Sequence, residues 1–184
     1  MRHDLAKLAA LIARQRKYAG FFSVGDKAST ERKVGEELAA SLRKTGLEDL
    51  HGLSASPKDP PDLVGFTTTG GRVGIEITEA VSREAIHANA KGRDVYRHWG
   101  PGEFSELLAE RIADKDAKPY HGGPYERLIL CIHTDELEIT PERALAEAAA
   151  TSPVRLKQIH AAYLLLSYHG EDVGYPVFRL AYAA

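Results

Sequence analysis

Two carboxylates interrupt a hairpin that is otherwise apolar. Asp62 follows Pro60-Pro61, and Glu76 lies in the run Gly74-Ile75-Glu76-Ile77-Thr78-Glu79. Side chains alternate faces along a strand, so Ile75 and Ile77 share one face while Glu76 and Thr78 share the other. A carboxylate in the middle of such a strand is costly unless a cation, a hydrogen-bond network or a cleft compensates it. With a second acid on its own face, Glu76 comes within reach of a shared bound ion.

The turn at Gly70-Gly71 decides whether Asp62 is that second acid. A two-residue loop sets Asp62 opposite Glu79 and sends Asp62 and Glu76 to opposite faces. A three-residue loop, Thr69-Gly70-Gly71 with one glycine left-handed, sets Asp62 opposite Thr78 and diagonal to Glu76 on one face. The second register is expected, because it alone gives the two acids a common role.

Pro61-Asp62, a hairpin, and then Ile75-Glu76-Ile77-Thr78 resembles the PD-(D/E)xK nuclease superfamily, the restriction-endonuclease-like fold. A helix carrying Glu36 and Glu37 precedes the hairpin, as a leading helix does in that family. The resemblance covers roughly residues 30–135 and rests on short motifs. It implies that Asp62, Glu76 and the backbone carbonyl of Ile77 hold Mg²⁺ or Mn²⁺, and that water attacks a phosphodiester. Two carboxylates and a carbonyl suit a hard, oxygen-seeking ion. It also implies nucleic acid, DNA first, as the partner. A homodimer would suit an enzyme that cuts both strands. The chain departs from the family at one place: the lysine two residues after the glutamate is Thr78 here. A hydroxyl supplies no positive charge, so the alternative is an inactive nuclease-fold module for binding or assembly.

The helix expected over 103–117 offers a replacement. At 100° per residue, Phe104, Leu107, Leu108 and Ile112 fall within a sector of about 140°, and Arg111, Lys115 and Lys118 fall inside it too. The inward stripe is thus apolar at first and basic in its last turn. In related families the lysine can move to this helix, which makes Lys115 the first candidate and Lys118 the second. Snorkelling of both amines to solvent is the competing reading. On the leading helix, Glu37 lies nearer the inner face than Glu36 and is the candidate third acid. Lys91, Arg93, Tyr96, Arg97, His98 and Trp99 interleave basic and aromatic side chains. With Lys118, the basic members Lys91, Arg93 and Arg97 are candidate contacts for nucleic acid. The eight histidines form no zinc spacing. Asp26 and Glu79 are possible additions to the acidic cluster, although Glu79 shares its face with Ile75 and Ile77.

These side chains need a scaffold. The spacing predicts helices over 4–18, 30–45 (capped by Ser29 or Thr30, stopped by Gly46), 103–117 and 141–150. Strands are expected over 62–68, 72–79, 128–133, 161–168 and 177–182. The proline-rich stretch 51–61 reads as a loop, and 82–102 as irregular or broken helix. The result is one α/β domain with a mixed central sheet flanked by helices. The resemblance makes it a restriction-endonuclease-like αβββαβ core, residues 29–184, behind an extra basic helical arm, residues 1–28. That arm has a charge basis. Residues 1–33 hold eight Lys/Arg against three acids, a net of +5, so the rest carries −7 of the total −2. A basic arm on an acidic body can hold a polyanion beside a carboxylate site.

At 184 residues, 43% hydrophobic and 27% charged, the chain is long and apolar enough to bury a core, which excludes a disordered tail. No run approaches the roughly 20 apolar residues of a membrane span. Cys131, the single cysteine, reads as a core residue, and a cytoplasmic setting is expected.

Overall fold

The structure, a computed structural model, describes residues 26–84, 87, 91, 97–151, 155–166 and 175–183. The expected helix over 4–18 and most of the basic arm lie outside them, as do Arg93 and Tyr96. The described residues form one α/β unit of three helices on a six-stranded sheet. In chain order these are α1 (Lys27–Thr45), β1 (Leu50–Ala55), β2 (Leu63–Thr67), β3 (Arg72–Glu79), α2 (Glu103–Asp116), β4 (Arg127–Thr134), α3 (Pro141–Thr151), β5 (Ala161–Leu166) and β6 (Val177–Tyr182).

The strands lie in the order β1-β2-β3-β4-β5-β6. The centre, β3-β4-β5, is parallel and the two flanks are antiparallel. A parallel centre needs cover on both faces. Accordingly all six residues of β5, AAYLLL, are buried. α1 covers one face, where Val34, Leu38 and Leu42 meet Val73, Ile75 and Ile77 of β3. α2 and α3 cover the other through Phe104, Leu108, Ile112, Ala144 and Ala148. No helix among the described residues is long and apolar enough to cross a membrane.

Three local expectations need correction. The stretch 51–61 is not all loop: its first part is the edge strand β1. Gly52 takes φ 62° there and the register slips between His51 and Ser54. A glycine tolerates that conformation, and a bulge on an edge strand is cheap. The cap of α1 is Asp26, whose Oδ1 accepts from Ser29 N at 2.8 Å. Asp26 therefore serves the helix end rather than the acidic cluster. The hairpin loop is indeed three residues, but it lies one position earlier, at Thr68-Thr69-Gly70. Gly70 takes φ 85°, Gly70 N donates to Thr67 O at 3.0 Å, and Thr67 N donates to Gly71 O at 2.8 Å.

Candidate metal centre

That one-position shift sets the site. With Leu63 opposite Ile75 and Val64 opposite Gly74, the register continues to Asp62 opposite Glu76, not Thr78. The two acids share a face, and they meet directly rather than diagonally. Gly74 makes room for the approach: a Cβ there would stand 2.9 Å from Pro61 Cγ and 2.8 Å from Leu128 Cδ2. Asp62 Oδ2 then accepts from Ile77 N at 2.7 Å. The N–H and C=O of one strand residue point to the same edge, so the Ile77 carbonyl opens on the Asp62 side too.

Lys115 comes down from the last turn of α2. Its Nζ lies 2.6 Å from Glu76 Oε1, and Lys118 Nζ lies 3.7 Å from the same oxygen. The turn that presents them is tied down. Asp116 is buried, and its carboxylate accepts from the backbone N–H groups of Lys157, Gln158 and Ile159 at 2.7–2.8 Å. Gln158 Nε2 donates to the carbonyls of Asp116 and Lys118, and Tyr120 OH donates to that of Lys115. Charge-assisted bonds of this kind are the strong ones, so the amines are carried on a fixed turn.

The electrostatics follow from burial. The Glu76 side chain is 3% exposed. Burial pushes its carboxyl pKa above the usual range, the Lys115 hydrogen bond pulls it back, and Asp62 pushes it up again. Burial, helped by the negative charge of Glu76, also raises the Tyr120 phenol. Glu76 Oε2 is buried and has no hydrogen-bond donor, an arrangement that invites a cation. One oxygen each from Asp59, Asp62 and Glu76 lie within 4.8 Å of one another. The donor set is all oxygen, so the residues present fit a hard divalent ion.

Three participants escape the sequence reading. Asp59 joins the acids from the loop before β2. Glu31, not Glu37, is the α1 residue that reaches Asp62, and burial followed by Asp62 raises its pKa to about 6. Lys27 lies 3.2 Å from Glu31 Oε1. A signal exists for two of them. On a helical wheel Lys27 and Glu31 fall within about 80° of arc with Val34, Leu38 and Leu42. The apolar stripe simply turns charged at its N-terminal end. Glu37 is half-buried about 9 Å further along the axis than Glu31.

Other candidates lie elsewhere. Thr78 is half-buried and pairs in the ladder with Ile132. Arg97 stacks over Trp99 with 4.4 Å to the ring centroid and bonds Glu103 at 3.1 Å, and Trp99 packs edge-on against Phe104. That arginine anchors the start of α2. Lys91 is exposed. Cys131 is buried in the core. Compared with protein-family models, curated proteins and solved structures, the chain matches none.

Proposed function

We propose that this chain is a Mg²⁺- or Mn²⁺-dependent nuclease of the PD-(D/E)xK kind, hydrolysing phosphodiester bonds in nucleic acid, with DNA as the expected substrate. One observation carries the reading. An amine from α2, Lys115 Nζ, sits 2.6 Å from Glu76 beside the Asp62 carboxylate, which supplies the charge that Thr78 lacks. The order α1-β1-β2-β3-α2-β4 agrees with the core that the resemblance implies.

In this reading Asp62, Glu76 and the Ile77 carbonyl hold the ion, with Asp59 as a further oxygen donor. When bound, the ion supplies Lewis acidity toward a phosphoryl oxygen and toward water. The protein does the rest. Lys115 opposes the burial that favours the protonated form of Glu76, and its ammonium faces the negative charge that grows on the phosphoryl group. Lys118, half in solvent, draws the substrate backbone toward the acids. The buried turn of Asp116 fixes the amine before substrate arrives.

The test is cleavage of plasmid DNA and of single-stranded RNA with Mg²⁺ or Mn²⁺, against Glu76→Gln. The expected result is metal-dependent cleavage that falls by about a thousandfold in the variant, within the range of lost charge stabilisation. No cleavage of either substrate, or cleavage that survives Glu76→Gln, overturns it. Thr78 favours a second reading, an inactive nuclease-fold module for binding or assembly. That reading expects Mn²⁺ to bind weakly or not at all.

A further inference from the structure

Three ion pairs converge on one amine at the rim of the centre. Lys27 Nζ lies 3.2 Å from Glu31 Oε1, 3.5 Å from Asp59 Oδ2 and 3.8 Å from Asp62 Oδ1. Lys27 sits there against its local preference. It is the first residue of α1, directly behind the cap Asp26, and no acid occupies that first turn. This is the positive end of the helix dipole, where a cation is disfavoured and an anion welcome. What holds the ammonium is a cup of carboxylates drawn from the helix and from the loop before β2.

We propose that the Lys27 ammonium takes the place of a second cation, so that the centre accepts one divalent ion and not two. The inference rests on the reading above, in which Asp62 and Glu76 hold a metal.

Two arguments support it. The first is geometric. Asp59 and Asp62 belong both to the metal-binding acids and to the cup around Lys27. Of the Asp62 oxygens, Oδ2 is engaged by Ile77 N at 2.7 Å, while Oδ1 faces Lys27. An ion bridging Asp62 to Glu31 or to the outer side of Asp59 would meet the amine. The second is charge. Glu31, Asp59, Asp62 and Glu76 face Lys27, Lys115 and Lys118, which leaves one net negative charge when all are ionised. One divalent ion turns this to a single positive charge, matched to a phosphodiester. A second would add two more within the same few ångströms, at a Coulombic cost that low effective dielectric magnifies. Removing the Lys27 charge restores room and attraction for that second ion.

The Lys27 side chain is 73% exposed. Its ammonium reaches Glu31 and Asp62 from solvent, so its substitution opens no cavity in the core, and the Tm of each variant is read beside its titration. The experiment is a Mn²⁺ titration of the full chain at neutral pH, followed by calorimetry and by the electron paramagnetic resonance of free Mn²⁺. The proteins are the wild type, Lys27→Met and Lys27→Arg. The expected result is one Mn²⁺ per chain for the wild type and Lys27→Arg, and two for Lys27→Met. Two ions in the wild type, or a single ion retained by Lys27→Met, overturns the inference and leaves the metal centre standing. No Mn²⁺ bound by any of the three overturns the metal centre, and this inference with it.

Discussion

Strand β3 contributes one acid to each of two groups, and the groups solve the same problem differently. Glu76 faces α2 beside Asp62 and Asp59, where Lys115, Lys118 and Lys27 approach them. Glu79 lies three residues on and faces the α1 side, close to Asp135 and Glu136. Among the described residues no ion pair joins Glu79, Asp135 or Glu136 to a basic side chain. Arg111 donates to the Glu79 backbone carbonyl at 3.4 Å and pairs with Glu110. His133, opposite Glu79 in the ladder, offers no charge, because burial lowers its pKa to about 4. Burial, then Glu79 and Glu136, raises Asp135 to about 7. In the second group Asp135 thus holds its proton toward neutral pH, where the first group has cations. Carboxylates close together are not enough for a metal centre; they must also be held ionised, with oxygens converging on one point.

The largest expected effect comes from making the first group like the second. Lys115→Met leaves Glu76 buried without its nearest cation. Losing one partner of a buried pair costs about 3–5 kcal/mol. Lys118 at 3.7 Å and proton uptake by Glu76 soften this, so about 2 kcal/mol is expected at pH 8. The urea midpoint should fall accordingly, and the loss should shrink at pH 5 as Glu76 of the variant protonates. Equal midpoints at pH 8 would mean that the amine does not compensate Glu76, and the contrast between the two groups would lose its basis.

Next in size is the acid on α1. Glu31→Gln should weaken Mn²⁺ binding about tenfold, as the loss of a group that orients a ligand does. Glu37→Gln should change it less than about twofold. The reverse order, read from the same titration, would return the role to Glu37.

The hairpin and α2 are legible because period and chemistry agree there. The apolar-then-basic stripe of 103–117 predicts which face of α2 turns inward, and Lys115 does point to Glu76. The shared face of Asp62 and Glu76 is legible too, although the register is not. Thr68-Thr69-Gly70 and Thr69-Gly70-Gly71 are both three-residue loops with a glycine at the end. What separates them is non-local, including the room that Gly74 gives Pro61. Helix α1 is harder for a related reason. Its apolar stripe points to Val34, Leu38 and Leu42, whereas Lys27 and Glu31 continue the same stripe as charges. Asp59 carries no periodic signal at all, since a loop residue is placed by tertiary contacts alone. β1 is hidden because Gly52 within it and Pro57 just past its end resemble loop residues, and an edge strand tolerates the glycine.

The smallest effect concerns the second group, and its sign is the sharper test. Asp135 has an ordinary pKa of 3.8 and a folded value of about 7. Folding therefore takes up a proton between those values. The stability linked to this group is whole below about pH 4 and is lost as pH rises through 7. For a fully buried carboxyl that rise would correspond to about 4 kcal/mol. Asp135 is only half-buried and solvent screens it, so about 1 kcal/mol is expected. Asp135→Asn removes the charge and should raise Tm at pH 8 by about 3 °C, a gain that fades toward pH 4. A lower Tm at pH 8 would mean that a partner holds Asp135 ionised. Both acid groups would then be cation-compensated, and the proposal of Glu76 as a metal-binding acid would rest on the convergence of its oxygens with those of Asp62 and Asp59 alone.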